Sequence, residues 1–520
     1  MTANTKTATK PVTRGGGRAG RRARRGAGEA AFDRAWRHWV RPYAPIEPLS
    51  ADQVEAIQEA SLKVLQETGM KVLSPAALTH YRAAGFDVAG DRVRFDPDGL
   101  RALVAQAPEE ITFRAWGADR DVTVGGNRVG ICTTGGTPNF SDMEGGRRPG
   151  SLELLHRFCK LAQAYDVIHM IGPFVEPQDV ALPVRHLEMT RAAVTLTDKV
   201  PFVFYRGTEA VADAFEIIRL ANGLSDEDFT RTPCSYGVAN SNSPLQLDAL
   251  MCGGIIDAAR AGQVMVLTPF TLAGAMAPVT MAGALVQQNA EALAGISLAQ
   301  AVRPGAPVIY GSFTSNVDMR TGSPAFGTPE YTRAAWASGQ LARLNRLPMR
   351  SSGVTASNTV DAQAAYEHQM SLWGALMGGA HMILHGAGWL EGGLTASAEK
   401  FVVDVEQLQM FAELFKPLQV NTETLAVDAI ADVGPGGHFF GTGHTIDRFE
   451  TAFYSPLVSD WSNFENWRDR GSQNAMDRAN RIYREAVRNY EPPPMAHDRA
   501  EAIDAFIARR VAEGGADLER

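Results

Sequence analysis

The chain has 520 residues, 45% of them hydrophobic, with 50 glycines and a formal net charge of -8 at pH 7. That length exceeds what one hydrophobic core comfortably serves, so one large domain with extensions, or two domains, is expected. The acidic balance excludes a nucleic-acid-binding surface over the chain as a whole, because phosphate recognition needs clustered Lys and Arg, and the composition excludes fibrous and wholly disordered classes.

The chain starts with a basic, glycine-rich run from Thr13 to Arg25. Its poverty in apolar residues predicts a disordered basic tail over 1–30 rather than an RNA contact or a targeting sequence. No stretch of about 18 uninterrupted apolar residues occurs, and no apolar segment follows the N-terminal charges, which predicts a cytoplasmic protein with no membrane span and no nucleic-acid partner. Cys132, Cys159, Cys234 and Cys252 lack CxxC spacing and read as buried free thiols.

From Leu49 to Ala84 the apolar spacing is helical, opening on Ser50–Gln53 as a capping box, and β-like runs follow at Arg92–Phe95 and Ile111–Arg114. Together these predict an N-terminal helical and β cap over 31–125. Eight compact strand-like runs come next: Val129–Cys132, Val167–Ile171, Val200–Tyr205, Cys234–Val238, Val264–Leu267, Val308–Tyr310, Met349–Ser351 and Met382–Leu384. Amphipathic stretches such as Leu152–Gln163, Ala210–Leu220, Leu247–Ala261, Ala284–Val302, Glu330–Leu344 and Ala362–Met377 separate them. Parallel strands joined by right-handed crossover helices predict an α/β chain with a (β/α)8 TIM barrel over 126–395. A doubly wound sheet would need a Gly-rich phosphate loop early in the series, and none is present. A C-terminal helical extension is expected over 396–520, with helices at Val403–Leu414 and Arg499–Val511 and an extended linker at Pro492–Pro494. The last helix is expected against a partner subunit of a homo-oligomer.

Barrel enzymes build their sites from the loops that follow the strands. Here those loops are small and polar: Thr133–Gly136, Arg206–Thr208, Ala239–Ser243, Thr268–Phe270, Gly311–Phe313, Ser352–Thr355 and His385–Trp389. Tyr205, Tyr236, Phe270, Tyr310, Phe313 and Trp389 fall at strand ends, where aromatic walls suit a quaternary ammonium through cation–π attraction, although each alone is better explained by core packing. Arg206 and Arg350 are candidates to grip a carboxylate, with a structural ion pair as the rival role. His381 and His385 flank a strand rather than share a helix face, which argues against a metal pair; His385 reads as a contact at the strand end and His381 as a partner for backbone. The acids nearest the last strand are Glu367, Glu391, Glu399 and Asp404, of which Glu391 lies on the rim loop. No Gly-x-Ser-x-Gly elbow suggests a hydrolase triad. The run Pro435–His444 matches no phosphate loop and is either a lid over the strand ends or a plain surface loop.

The block Ser357–Glu367, followed by Gly378–Leu390 and Ser397–Lys400, resembles the trimethylamine methyltransferase superfamily, with similarity running from about Leu49 to Asn489. The resemblance implies a TIM barrel that passes a methyl group from an amine to the Co(I) of a separate corrinoid protein. No tightly bound cofactor is then expected, the corrinoid (cobalamin) being carried by the partner. The archetypal trimethylamine enzymes carry pyrrolysine roughly where Ser352 to Asn358 fall, whereas this chain has only standard residues. It is similar to the non-pyrrolysine branch, whose members resemble glycine betaine:corrinoid protein methyltransferases. A quaternary nitrogen already carries its leaving-group charge, so no general acid and no metal is assigned. Tyr205, Tyr310, Phe313 and Trp389 are expected to wall the cation, with Glu391 nearby. Arg206 or Arg350, with His385, would hold the carboxylate, and Asn240 and Asn242 would position the rest. Trimethylamine, proline betaine and carnitine remain alternative substrates, folate an alternative acceptor, and a catalytically silent betaine-binding barrel the alternative outside enzymes.

Overall fold

In the computed structural model, which describes residues 38–517, the chain opens as its capping signal predicts. Ser50 Oγ accepts from Gln53 N at 3.3 Å and Gln53 Oε1 accepts from Ser50 N at 3.0 Å, starting the helix Ala51–Lys63. The basic tail lies outside the described residues. Two further helices, Pro75–Ala83 and Pro97–Val104, and the short strands Met70–Val72, Asp87–Ala89 and Arg92–Arg94 complete the N-terminal cap. Its sheet also takes in Gln246–Leu247 from a distant loop, pairing it parallel to Met70–Val72.

Eight strands carry the centre: β1 Arg128–Ile131, β2 Met170–Ile171, β3 Val200–Pro201, β4 Tyr236–Ser241, β5 Val264–Pro269, β6 Val308–Gly311, β7 Met349–Ser352 and β8 Met382–Leu384. The connecting helices are α1 Leu152–Gln163, α2 Leu182–Leu196, α3 Thr208–Asn222, α4 Ala249–Ala261, α5 Met281–Val302, α6 Pro329–Leu344 and α7 Ala362–Gly378. Each expected strand is present. Only α2 was not expected, because Pro183, Arg185, His186 and Arg191 interrupt any clear apolar stripe.

Six of the strands lie in one sheet in the order β1-β8-β7-β6-β5-β4, all parallel, with Trp39–Val40 added antiparallel outside β1. β2 and β3 pair parallel with each other, and isolated parallel bridges run from Cys132 of β1's end to Met170 of β2 and from Phe202 after β3 to Tyr236 of β4. The architecture is mixed α/β.

Strand alternation sorts the side chains into two layers. Cys132, Met170, Val200, Tyr236, Val264, Val266, Ile309, Met382 and Leu384 share an inner cluster with the hairpin Ile111–Phe113/Val122–Val124. That hairpin meets the strands where they begin, since Arg114 N donates to Pro233 O just ahead of β4. The opposite faces pack on the helices in a much larger cluster. α5 is apolar around most of its circumference and buried almost throughout, as a helix clasped between the sheet, α4, α6 and the N-terminal cap must be. A fully buried leucine there, such as Leu293, contributes about 1.5–3 kcal/mol.

After β8 come α8 Ala398–Leu414, α9 Ala475–Arg488 and α10 His497–Ala512. The last helix does not wait for a partner subunit: α10 packs on α2 and α3 of its own chain, with Arg510 Nε 2.7 Å from Asp213. Between α8 and α9 the chain makes a long excursion over the surface that rejoins the body where Glu406 of α8 accepts from Ser459 N at 2.9 Å.

Candidate functional site

The ends of β6, β7 and β8 bring one group of side chains together. Arg350 is the second residue of β7, in register with Met382 of the inner cluster, so its side chain leaves the sheet on the face that carries that cluster. It is 2% exposed. Its neighbour across the ladder is Gly311, where a Cβ would lie 2.1 Å from Thr268 Oγ1; only glycine fits beside Thr268 at this level.

The guanidinium of Arg350 stacks over Phe313 at 4.9 Å and its Nη2 donates to His385 Nδ1 at 3.4 Å. Its Nε and Nη1 are buried and have no hydrogen-bond partner, and among the described residues no carboxylate pairs with it. The groups that favour its charge are Tyr331, Cys132 and Tyr236, whose own acidities burial suppresses. Desolvation accordingly lowers Arg350 to about 10. A buried cation with two unused donors is an arrangement that an anionic ligand would complete.

His385 ends β8 in the left-handed region, at φ 54. Its backbone is fixed by donation to Thr133 O, and the next amide, Gly386 N, donates to Cys132 O at 2.8 Å. Nδ1 accepts from both Arg350 and Ser352 Oγ, the latter at 3.2 Å, so the ring carries its proton on Nε2. Desolvation, and then the charge of Arg350, hold its pKa well below the ordinary value, and the imidazole is neutral. Trp389 lies 4.0 Å away, ring centre to ring centre, and is oriented by a reciprocal pair of bonds: its Nε1 donates to Thr355 O at 3.1 Å and Thr355 Oγ1 donates to Trp389 O at 2.9 Å.

Around this pair stands an aromatic cluster of Phe313, Phe326, Tyr331, Val354 and Trp389, with Phe270 and Ala356 at its margin. Phe270 and Phe313 are 5.2 Å apart and Phe313 and Phe326 5.5 Å apart. Tyr331 Oη donates to Ser352 O at 3.0 Å. Neither Phe326 nor Tyr331 was among the residues singled out from the sequence. Both are returned to the site by the hairpin Ser315–Val317/Pro324–Ala325, whose Asp318–Gly322 turn was the available signal.

The remaining expectations divide. Phe313, Arg350, His385 and Trp389 meet as expected. Tyr205 does not wall this space: it lies against Gly254 of α4 and Phe215 of α3, and a Cβ at Gly237 would come 1.9 Å from its ring. Tyr310 also faces the helices, its hydroxyl donating to Asn289 and accepting from Gln288 of α5 at 3.2 and 3.1 Å. Alternation explains Tyr310, which follows the inward Ile309 on β6, whereas Tyr205 lies beyond the end of β3. Arg206 is 57% exposed at its side chain and paired with Glu176 at 3.2 Å, so the structural role holds there. Asn240 projects from β4 on the same side as Tyr236 and stays exposed, whereas Asn242 Oδ1 is spent accepting from Asp248 N within its own loop. Glu391 is bound to Arg147 through both oxygens at 2.9 Å.

The acids of the 357–404 region are loop anchors. Glu367 accepts from Ala356 N and Ser357 N at 2.9 Å each. Asp404 accepts from Gly388 N at 2.9 Å, pairs with Lys400 and lies 3.1 Å from His368, while Glu399 accepts from Met143 N. His381 bridges backbone, Nδ1 accepting from Met349 N at 3.0 Å and Nε2 donating to Gly126 O at 3.1 Å. Among the described residues no group of His, Cys, Asp and Glu could hold a metal ion, and no helix is long and apolar enough to cross a membrane. The run Pro435–His444 lies on the surface excursion, with most of its residues exposed.

Comparison with known proteins gives the chemistry a context. The family model described as trimethylamine methyltransferase (MTTB) matches residues 14–515. A glycine betaine methyltransferase of Desulfitobacterium hafniense is 36% identical over 469 residues, covering 90% of this chain and 98% of that protein. A trimethylamine methyltransferase MttB of the same species is 30% identical over 476 residues, 90% of this chain and 94% of that one. Among solved structures, the monomethylamine methyltransferase MtmB of Methanosarcina barkeri aligns with a TM-score of 0.50 at 10% identity, over 95% of this chain and 93% of that chain.

Proposed function

This chain belongs to the trimethylamine methyltransferase family and is a methyltransferase; from that premise we propose that it moves a methyl group from glycine betaine to the cobalt of a corrinoid carried by a partner protein. The observation that carries the choice of substrate is Arg350, a buried guanidinium without a carboxylate, beside a neutral histidine and an aromatic cluster. A trimethylammonium group alone would leave that cation uncompensated. A betaine brings the missing anion on the same small molecule.

In this reading the betaine carboxylate accepts from one of the unused nitrogens of Arg350, Nε or Nη1, with His385 Nε2–H as a further donor. The quaternary nitrogen then falls against Phe313 and Trp389, whose faces favour a cation and exclude water from it. Because His385 is neutral it adds no repulsion. The corrinoid supplies a nucleophilic metal centre that accepts the methyl. The N–CH3 bond breaks with its electron pair going to nitrogen, and dimethylglycine leaves as an amine, so the chain need provide neither acid nor base. What it contributes is a fixed and desolvated methyl group, and orientation of this kind is worth several kcal/mol of the barrier.

The eight parallel strands read best as a closed barrel over 126–395, flanked by the cap 31–125 and the extension 396–520. The bridges Cys132↔Met170 and Phe202↔Tyr236, which link the β2–β3 pair to both edges of the larger sheet, support that closure. Incubation with glycine betaine and reduced cobalamin should yield dimethylglycine and methylated cobalamin together. Binding of betaine without either product would refute the transferase reading, and turnover of trimethylamine in preference to betaine would refute the substrate.

A further inference from the structure

The excursion between α8 and α9 is unlike the rest of the chain. Its four short helices, Thr422–Leu425, Val427–Val433, Gly443–Ile446 and Phe464–Asp469, are specified locally: Asn421, Thr442 and Asn463 each cap the following turn with a side-chain oxygen. None of them packs extensively on another element of the chain. Leu418, Val420, Val427, Phe440, Phe453 and Trp461 are instead 65% to 89% exposed. At ~150–200 Å² each, these six together expose apolar area on the order of 700 Å². That is close to one partner's share, about 800 Å², of a standard interface.

A second apolar surface lies on the body. Tyr366, Met370 and Trp373 recur along α7 at helical spacing and are 59%, 37% and 37% exposed, and on α8, which meets α7 through Trp373 and Phe411, Met410 and Leu414 are 46% and 42% exposed. The 37 residues ahead of the described chain hold only Met1, Val12, Phe32 and Trp36 as large apolar side chains, too few to cover either surface.

We propose that the arm from about 416 to 464 docks on the α7–α8 face of a second copy of this chain, and the second copy's arm on the first. Two apolar surfaces on one chain allow a closed, two-fold exchange. The amount and apolarity of the surface fit a permanent interface; a methyl acceptor that must arrive and leave at each turnover would meet a more polar one. The arm starts directly after Leu414, so the exchange also ties the rim loop held by Asp404 of α8 to the interface.

The test is sedimentation of the full chain across micromolar concentrations, with Phe453→Asp on the arm and Tyr366→Asp on the receiving face. The wild type sediments as a dimer or a multiple of one, and either substitution shifts it at least tenfold toward monomer while circular dichroism stays native. An equimolar mixture of the two variants recovers a dimer, because one of the two exchanged junctions is then intact. As a check independent of those variants, oxidation of a mixture of Leu418→Cys and Met370→Cys chains gives an interchain disulfide. A wild type that is monomeric throughout, variants of unchanged mass without the cross-link, or an arm that is protected only when a corrinoid protein is added would each overturn the proposal.

Discussion

Replacing Arg350 by methionine tests the site through two effects of opposite sign. In the free protein the guanidinium is buried and unpaired, and its fall from 12.5 to about 10 corresponds to roughly 3 kcal/mol against the charged form. An apolar chain of similar length removes that penalty while keeping the contact with Phe313, so the ligand-free variant should be more stable by about 1–3 kcal/mol. In the complex the same side chain is half of a buried charge pair, whose truncation costs about 2–5 kcal/mol, or roughly 30-fold to several thousand-fold in affinity. Chemical unfolding without ligand and calorimetric titration with glycine betaine measure the two quantities on one preparation. Trimethylamine, which lacks the carboxylate, should bind the variant no more weakly than the wild type. Loss of stability together with undiminished betaine affinity would refute the reasoning, because Arg350 would then be a structural cation whose partner has been overlooked.

Arg206→Ala, which removes an exposed pair with Glu176, should change betaine affinity by less than about 1 kcal/mol, as titration will show. Trp389→Leu should weaken betaine by about 1–2 kcal/mol while weakening its tert-butyl analogue, in which neutral carbon replaces the quaternary nitrogen, less, since only the cation gains from the ring face; equal losses for both ligands would count against a cation site. Arg350 at about 10 predicts betaine affinity that is flat through neutral pH and falls as pH rises through 10, and a transition near 6 would instead implicate a histidine. His381, lowered from its ordinary 6.5 to about 4 by burial and by Arg41, stays neutral in the folded chain while the unfolded chain takes up a proton. The stability present above 6.5 is therefore lost as pH falls toward 4, by up to ~3 kcal/mol from this group, and urea unfolding of His381→Gln should show a shallower pH dependence over that window.

The strands and most crossover helices were legible because buried parallel strands write themselves as short β-branched runs, because α1, α4, α6 and α7 open on capping side chains, and because α5 is a long apolar run. What a strand end points at was less legible. Tyr310 and Phe313 are three residues apart and both aromatic, yet one joins α5 and the other the site, and only the register of β6 against β5 and β7 decides which. Arg206 and Arg350 look alike in sequence; the difference is that Glu176, thirty residues away along the chain, folds back onto the first and nothing anionic reaches the second. Phe326 and Tyr331 depend on a hairpin return that carries no apolar period of its own. The α10 helix was expected on a partner because its mixed charge hides the two buried isoleucines, Ile503 and Ile507, that seat it on its own chain.

A crystal structure of the protein soaked with glycine betaine tests the central claim most directly. The carboxylate is expected on an unused nitrogen of Arg350, Nε or Nη1, within reach of His385, with the trimethylammonium against Phe313 and Trp389 and one methyl turned to the open ends of the strands. Betaine bound at Arg206, or seated with its carboxylate away from Arg350, would contradict it.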